Sequence, residues 1–513
     1  MGAVTAGRRH GLAAACRERR FALALTGAVV LALIARLWGL GSHSLWFDEA
    51  LEVERASLPL RQLVSARGID QDPPLYPLLL RGLLAVDRSD AWLRLPGVLL
   101  GALAVLLAGV WGRRVGGAWL GLAAASLLAV APAAVHYAQE VNQYAVVWPL
   151  AVGLALALEA VVVTGGRGRW LGYSLLCVAA VATHYGLALL VAAQLVPLAS
   201  QAARASRQRR SLAVHVGLLA VAIVVLWHLG LGRNLEVDHV QARFGGTDLA
   251  RELAYVADTL WRDVLVFFSV PFSGGMGLHV ARVVALAAAV GSAWLWRRGA
   301  AGRRAVGVAF LLPLALSYGA GGMGWYPLGH RYGLMAAPAY LLVAAGAVAA
   351  LARRSARAAA LTLAALVGAL AAFLPQLDAR NPDLVVPRQE LRPVLVRLAA
   401  RADPDQTLYV YHGARPAFAK YAADGILGPA PRVLPGRSYD QHSAPAEAER
   451  LTLGVPPGAA AWLVFAQVAP GDHEVLLEHL LLAVEPRWRL VQEIEERNAM
   501  AYLVERLGAP HDG

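Results

Sequence analysis

Charged residues are scarce in this sequence: they make up 16% of its 513 residues, whereas 58% are hydrophobic. This balance excludes an ordinary soluble globular protein, because no soluble core accounts for so much apolar sequence. Apolar runs of about 20 residues, the length that crosses a bilayer, recur over the first three quarters of the chain. The composition therefore predicts an integral membrane protein.

Cysteine and lysine are nearly absent. Cys16 lies in a basic N-terminal segment and Cys177 inside an apolar run, so a structural disulfide between them is not expected. The lack of lysine beside abundant arginine, alanine and glycine suggests a GC-rich bacterial genome. The C-terminal residues also lack a glycine-rich phosphate-binding fingerprint and metal-ligand spacing, which argues against catalysis in that part of the chain.

The net charge of +12 would suit a nucleic-acid partner, but the arginines lie in short clusters between apolar runs. Such clusters indicate topology, since cytoplasmic loops of membrane proteins are rich in arginine. Residues 1–20 are therefore expected in the cytoplasm. Residues 21–375 are expected to form about eleven spans, with an outer loop at 41–90 and a long polar outer segment at 234–258.

Beyond about residue 375 the sequence is that of a soluble domain. An odd number of spans places this small α/β domain, residues 376–513, outside the cytoplasm. Its role is expected to be structural or acceptor docking. Hydrophobic patterning predicts helices at 391–398, 415–423 and 473–484, and strands at 407–411, 461–465, 490–494 and 499–504.

Two adjacent carboxylates, Asp48 and Glu49, directly follow the first apolar run. They come after apolar residues 45–47, which predicts a partly desolvated position at the membrane boundary. In a helix the two side chains point about 100° apart. One can then face a substrate while the other pairs with a neighbour such as Arg55, and Asp48 is the candidate for chemistry. The alternative is a capping or solvated pair at the start of an interfacial helix.

Further polar side chains recur at the outer ends of predicted spans, where one cavity could collect them: Arg94, His136, Glu140, His184, Tyr185, His330 and Arg331. Arginine suits phosphate recognition, although Arg94 could instead extend to water. Interfacial packing is the main alternative for His184. His136 and Glu140 lie one helical turn apart and could bind a divalent metal, but no third ligand follows at a fixed spacing. No cofactor is certain.

A carboxylate together with arginines at the outer leaflet suits proton abstraction from a hydroxyl, with the cations stabilising a departing phosphate. This chemistry is glycosyl transfer from a lipid phosphate. A transporter or flippase of a lipid-linked glycan is an alternative. It is disfavoured because the ionisable groups gather at one surface and not at the membrane midplane. A non-catalytic envelope protein with a partner-binding tail is a second alternative.

Five motifs in order carry a family resemblance: Leu45-Trp46-Phe47-Asp48-Glu49-Ala50, Asp72-Pro73-Pro74-Leu75-Tyr76, Arg94-Leu95-Pro96, Tyr137-Ala138-Gln139-Glu140 with Tyr144, and His330-Arg331-Tyr332. Together they resemble glycosyltransferase family 39, which includes protein O-mannosyltransferases and the bacterial lipid A aminoarabinose transferase. The resemblance covers about residues 20–375. It implies the membrane-embedded GT-C fold.

The resemblance also implies an inverting transferase that uses a polyprenyl-phosphate-linked sugar, with Asp48 as base and Arg94 near the donor phosphate. The acceptor would be a glycan, a lipid or a protein. We expect Arg331 to join Arg94 at the phosphate. We expect a substrate cavity lined by Glu49, Asp72, Glu140, Tyr144, His184, Tyr185 and His330.

One departure from the family pattern is visible. Many bacterial relatives have Gln-Glu-Ala-Arg before the tyrosine, whereas this chain has Gln139-Glu140-Val141-Asn142-Gln143-Tyr144. Any role of that arginine is therefore absent here or supplied elsewhere, for instance by Arg331.

Overall fold

Long apolar helices dominate the computed structural model, which describes residues 2–64, 73–231, 249–272, 274–323, 325–327, 329–378, 380–381, 386–428, 432–437, 444–467 and 488–507. Among these residues, eight helices are long and apolar enough to cross a membrane. They are Ala15–Leu37, Asp90–Gly116, Tyr144–Thr164, Ser206–Leu229, Met276–Arg297, Ala300–Gly322, Arg331–Ala352 and Ala356–Leu377. The predicted polytopic helical fold is confirmed.

The number of spans depends on shorter helices. A bent pair, Ala118–Val130 and Pro132–Ala138, brings the total in the described chain to nine if it counts as one span. Arg167–Thr183 and Gly186–Ala202 have 17 residues each. At 1.5 Å per residue each is roughly 26 Å long, the short limit for a span. Including both would give eleven, so the predicted count stays a prediction.

The remaining described helices are shorter. They include Phe47–Ser57, Leu60–Val64, Leu75–Leu84 and Leu249–Arg262. The last of these replaces part of the polar loop expected at 234–258. Its apolar residues recur at helical spacing, as Leu253, Val256 and Leu260 show, and the loop prediction overlooked this period.

Contacts divide the chain into two compact units. The first consists of Met1–Trp38, Leu60–Tyr76 and Arg94–Leu377, and the second of Gly39–Pro59, Pro77–Leu93 and Asp378–Gly513. The sequence-based boundaries place the loop at 41–90 with the membrane domain. In the structure, most of that loop belongs to the unit that contains the C-terminal residues.

The span Arg331–Ala352 is the most buried span of the membrane unit. In its apolar stretch of 18 residues, 83% of the residues are buried. The buried share of the corresponding stretch is at most 56% in every other described span. It packs closely against the helix Met276–Arg297, where a Cβ on Gly291 would lie 1.8 Å from the Val343 carbonyl oxygen. Only glycine permits this approach, in keeping with the use of small residues where membrane helices pack.

The bent pair in the same unit has a direct chemical cause. The helices Ala118–Val130 and Pro132–Ala138 meet at 60°. Pro132 has no N–H, so the carbonyl of Leu128 loses its helical partner. The buried side chain of Arg36 donates a hydrogen bond to this carbonyl instead, at 3.1 Å. A cation at the carbonyl end of a helix is also favoured by the helix dipole.

The second unit contains the predicted α/β elements. A short antiparallel pair, β1 (Arg380–Asn381) and β2 (Val386–Pro387), precedes a five-stranded sheet in the order β4-β3-β5-β7-β6. These strands are β3 (Thr407–Val410), β4 (Arg432–Pro435), β5 (Ala460–Ala466), β6 (Trp488–Glu496) and β7 (Ala499–Arg506). β3 runs parallel to β4 and β5, and β7 is antiparallel to β5 and β6.

Three helices accompany the sheet: Leu391–Ala399, Arg415–Ala423 and Ala444–Gly454. The first two and strands β3, β5, β6 and β7 confirm the sequence prediction, apart from shifts at their ends. The helix predicted at 473–484 lies outside the described residues. β4 was not predicted, because it is a short, mostly exposed edge strand that ends in Pro435. Its apolar and polar residues do not alternate as in a half-buried strand.

Candidate functional site

The acidic pair begins the helix Phe47–Ser57, and its two members are placed differently. The Glu49 carboxylate accepts a hydrogen bond from the Trp46 amide at 3.2 Å, which satisfies an otherwise unpaired N–H at the helix start. Glu49 is completely buried, whereas Asp48 is partly exposed. The capping alternative therefore applies to Glu49.

A second group of predicted site residues meets in the membrane unit around Tyr144. The His184 ring lies 5.3 Å from the Tyr144 ring. The guanidinium of Arg331 lies 5.7 Å from the Tyr144 centroid and 5.6 Å from that of Tyr332. Contact with ring faces holds a planar cation in place. Three separate segments thus converge on one aromatic-lined cation.

His184 is fixed by its neighbours. Its Nδ1 accepts a hydrogen bond from the Gly186 amide at 3.1 Å, so the neutral ring carries its proton on Nε2. A Cβ on Gly186 would lie 2.4 Å from the Tyr326 hydroxyl, which donates to the Tyr332 carbonyl at 3.2 Å. Tyr326 was not predicted individually. The abundance of glycine and aromatic residues at 319–331 was the available signal.

His136 and Glu140 form a buried contact in the same unit. His136 Nε2 and Glu140 Oε1 are 3.0 Å apart, and each side chain is 1% exposed. In the described part of the chain, no three His, Cys, Asp or Glu side chains form a group that could hold a metal ion. A divalent metal at this pair stays a prediction.

Arg94 is 2% exposed on the helix Asp90–Gly116. A side chain that extended its charge to water would be far more exposed, so the snorkelling alternative does not fit. Tyr185 is partly exposed. Asp72 and the side chain of His330 lie outside the described residues.

Arg36 and Gln139 each donate hydrogen bonds to backbone carbonyls, and the sequence-based prediction missed these contacts of both residues. Arg36 donates to the Ala129 carbonyl at 2.7 Å, while the Gln139 amide donates to the carbonyls of Arg36 and Trp38 at 3.0 and 2.7 Å. Gly101 leaves room for this arrangement, since a Cβ there would lie 2.6 Å from Arg36 Nε. The available signal was a lone cation inside the first apolar run.

An apolar cavity of about 460 Å³ lies within the membrane unit. Its lining includes Trp261, Leu265, Phe310 and Leu314. Tyr318 contributes a hydroxyl that donates to the buried carboxylate of Asp263, so its polar end is already satisfied. The remaining surface suits an apolar ligand.

Comparisons with known proteins agree with the motifs. Residues 71–228 match the family described as dolichyl-phosphate-mannose-protein mannosyltransferase. This segment contains Arg94, Glu140 and Tyr144, while Asp48 and Arg331 lie outside it. No curated protein matches the sequence.

The structure is similar to two crystal structures of ArnT from Cupriavidus metallidurans. The complex with undecaprenyl phosphate has a TM-score of 0.55 and 13% identity, and the match covers 94% of this chain and 97% of that one. The apo form has a TM-score of 0.55 and 12% identity, with coverage of 95% and 98%. The resemblance to glycosyltransferase family 39 is thus confirmed: the chain is a multi-pass membrane protein with the GT-C glycosyltransferase fold.

Proposed function

We propose that this chain is an inverting glycosyltransferase of the cytoplasmic membrane, which moves a sugar from a polyprenyl-phosphate donor to an acceptor hydroxyl on the outer face. The observation that carries the proposal is the family match over residues 71–228, because this segment contains Arg94, Glu140 and Tyr144. The fold is shared with ArnT, which was crystallised with undecaprenyl phosphate, and this similarity supports a lipid-phosphate donor.

Asp48 is the proposed general base. Its carboxylate takes the proton of the acceptor hydroxyl while the hydroxyl oxygen attacks the anomeric carbon of the donor sugar. The bond from that carbon to the phosphate oxygen breaks, and its electron pair leaves with the polyprenyl phosphate. Attack from the face opposite the leaving group inverts the anomeric configuration. The partial exposure of Asp48 and the capping role of Glu49 support this choice between the two carboxylates.

Arg94 and Arg331 are the proposed donor-phosphate residues. Fixed cations stabilise the charge that develops on a leaving phosphate without reorganising during the reaction. Burial of Arg94 and the contacts of Arg331 with Tyr144 and Tyr332 support such fixed positions. Arg331 would also supply the cation that this chain lacks at 141–143.

The remaining expected residues have supporting roles in the proposal. Asp72 or Glu140 orients the acceptor, and His184, Tyr185 and His330 line the substrate cavity. The apolar cavity between Trp261 and Phe310 would take part of the lipid chain, since its volume of about 460 Å³ lies in the usual range for ligand pockets, roughly 300–1,000 Å³. The acceptor is a hydroxyl of a glycan, a lipid or a protein.

The proposal is tested with purified protein in liposomes that contain a panel of labelled polyprenyl-phosphate sugars. The predicted result is release and transfer of one sugar by the wild type, and loss of that turnover in Asp48→Asn with the fold intact. A flippase would behave differently. Labelled lipid crossing the bilayer equally in both forms, with no donor consumed, would contradict the transferase proposal.

A further inference from the structure

We propose that four residues of the C-terminal domain act as positioning residues for Asp48: Glu390, Arg392, Lys420 and Tyr421. Together with Asp90 they form what we call the loop anchor. It holds residues 41–45, the segment that leads into the helix of Asp48. This inference rests on the proposed function, because positioning matters only if Asp48 takes part in the reaction.

Glu390 and Arg392 enclose Ser44. Glu390 Oε2 accepts hydrogen bonds from the Ser44 amide at 3.0 Å and the Ser44 hydroxyl at 3.1 Å. Its Oε1 lies 2.6 Å from His43 Nδ1. The Ser44 hydroxyl in turn accepts from the Arg392 amide at 3.0 Å. The Arg392 guanidinium donates to the carbonyls of Gly41 and Ser42, both at 3.1 Å.

Tyr421 holds the next residue along the chain. Its hydroxyl accepts a hydrogen bond from the Leu45 amide at 2.6 Å and donates to Asp90 Oδ2 at 2.9 Å. Asp90 also pairs with Lys420 and, at 2.7 Å, with Arg392. The Tyr421 hydroxyl therefore sits between a backbone amide of the loop and a buried carboxylate that is itself held by two cations.

Two charges of this anchor, those of Asp90 and Lys420, are deeply buried. The side chains of Asp90 and Lys420 are 1% and 3% exposed. Lys420 is also the single lysine among the 513 residues. A buried ion pair is a poor source of net stability, because desolvation offsets most of the attraction, and its better-attested use is to specify one arrangement. We infer that the arrangement specified here is the path of residues 41–45.

Fixing this path fixes the start of the helix of Asp48. Three consecutive amides donate to side chains: Ser44 to Glu390, Leu45 to Tyr421, and Trp46 to Glu49. Asp48 follows two residues after Trp46, in the first turn. A displacement of about 1 Å in a reacting group can cost about 100-fold in rate. Loss of the Leu45 contact is therefore expected to affect turnover more than donor binding.

Tyr421→Phe removes the hydroxyl and keeps the ring. Tyr409→Phe is the matched control, because the Tyr409 hydroxyl also donates to a buried carboxylate of this domain, Glu447, at 3.0 Å. Among the described residues, its hydrogen bond goes to Glu447 and not to residues 41–45. Both tyrosines are 1% exposed. Both variants are compared by hydrogen–deuterium exchange of the Leu45 amide and by kcat and donor KM.

For Tyr421→Phe we expect at least about tenfold faster exchange at Leu45 and a kcat lowered by about 10- to 100-fold, with donor KM within about twofold. Tyr409→Phe is expected to match the wild type in all three. If Tyr421→Phe does not fold, Glu390→Gln takes its place, and exchange is measured at the Ser44 amide. We expect faster exchange and a lower kcat in that variant too.

Two results would overturn the inference. One is equal behaviour of Tyr421→Phe and Tyr409→Phe. The other is faster exchange at Leu45 with an unchanged kcat, which would mean that the anchor holds the loop without positioning Asp48. If the wild type transfers no sugar from any donor, the proposed function fails and the positioning claim fails with it. Exchange at Leu45 would then show only whether the anchor holds the loop.

Discussion

The carboxylate of Glu49 accepts a hydrogen bond from the Trp46 amide, 3.2 Å away, and thereby closes the first turn of the helix that carries Asp48. This contact separates two adjacent acids that look equivalent in the sequence. Glu49 is completely buried, whereas Asp48 is partly exposed. The chemical roles of the two residues should differ accordingly.

The first prediction concerns Glu49. Glu49→Ala removes the cap and is expected to lower the free energy of unfolding by about 0.5–2 kcal/mol. Glu49→Gln keeps an oxygen acceptor, so its stability and turnover should stay within about threefold of the wild type. Thermal unfolding in detergent and a transfer assay measure the two effects. If Glu49→Gln lost turnover as completely as Asp48→Asn, the assigned roles would be wrong.

The second prediction concerns the fit of Arg36 against Gly101. Gly101→Ala forces a methyl group to within 2.6 Å of Arg36 Nε and is expected to cost about 1–3 kcal/mol of stability. In an Arg36→Ala background most of that cost should disappear, giving a coupling energy above about 0.5 kcal/mol. The four proteins of this cycle are compared by thermal unfolding.

Gly27→Ala is the control for the Gly101 substitution. Gly27 lies inside a helix, and apart from the adjoining residues and backbone of that helix no described atom comes within 4 Å of the place that an added methyl group would take. Alanine there should be neutral or stabilising by up to about 1 kcal/mol. Additive effects of Gly101→Ala and Arg36→Ala would argue against a contact between these two side chains.

The third prediction concerns Arg331 and its aromatic contacts. Arg331→Lys loses the planar cation and is expected to raise the donor KM by about tenfold. Tyr144→Phe keeps the ring face and should change it by less than about threefold, whereas Tyr144→Leu should resemble Arg331→Lys. Binding of undecaprenyl phosphate provides a second readout. Equal affinities in all four proteins would remove Arg331 from the phosphate site.

The fourth prediction concerns acid stability. Burial alone would raise the pKa of Glu390, but hydrogen bonds from His43 and Ser44 outweigh burial and lower it from the ordinary value of 4.5. A carboxyl group with a lowered folded-state pKa stabilises the fold above its unfolded-state pKa, and that stability is lost as the pH falls through the folded-state value. Below pH 4.5 the wild type should therefore lose stability more steeply than Glu390→Gln.

Unfolding measured at several pH values between 7 and 3 would show this difference in slope. Leu453→Ala is a suitable comparison, because Leu453 lies in the same domain, is 80% exposed and has no titratable group. It should retain the steep acid loss of the wild type. Parallel curves for the wild type and Glu390→Gln would exclude a linked proton at Glu390.

The membrane fold could be predicted because its causes are local. Apolar runs set the spans, and the helices and strands of the C-terminal domain follow from periods that are visible over a few residues. β4 carries no such period, since it is a mostly exposed edge strand. The 17-residue helices are intermediate in length, so composition alone does not decide whether they cross the membrane.

The site residues could be predicted only in part, because contacts distant in sequence decide their roles. Tyr144, His184 and Arg331 could each be named from the sequence, but their meeting around one cation could not. Arg36 and Gln139, which share a hydrogen bond, are separated by 103 positions. Ser44 is hydrogen-bonded to Glu390, and Leu45 is hydrogen-bonded to Tyr421. In each pair the two residues are more than 340 positions apart. No local pattern encodes such pairs.

The central claim is that Asp48 is the base of a glycosyl transfer from a lipid phosphate. The most direct test is the single-turnover rate of sugar transfer from saturating polyprenyl-phosphate sugar, measured for the wild type, Asp48→Asn and Glu49→Gln in liposomes. We predict that Asp48→Asn lowers this rate by about 10²- to 10⁴-fold with little change in donor affinity, while Glu49→Gln remains near the wild type. A near-normal rate in Asp48→Asn would contradict the account.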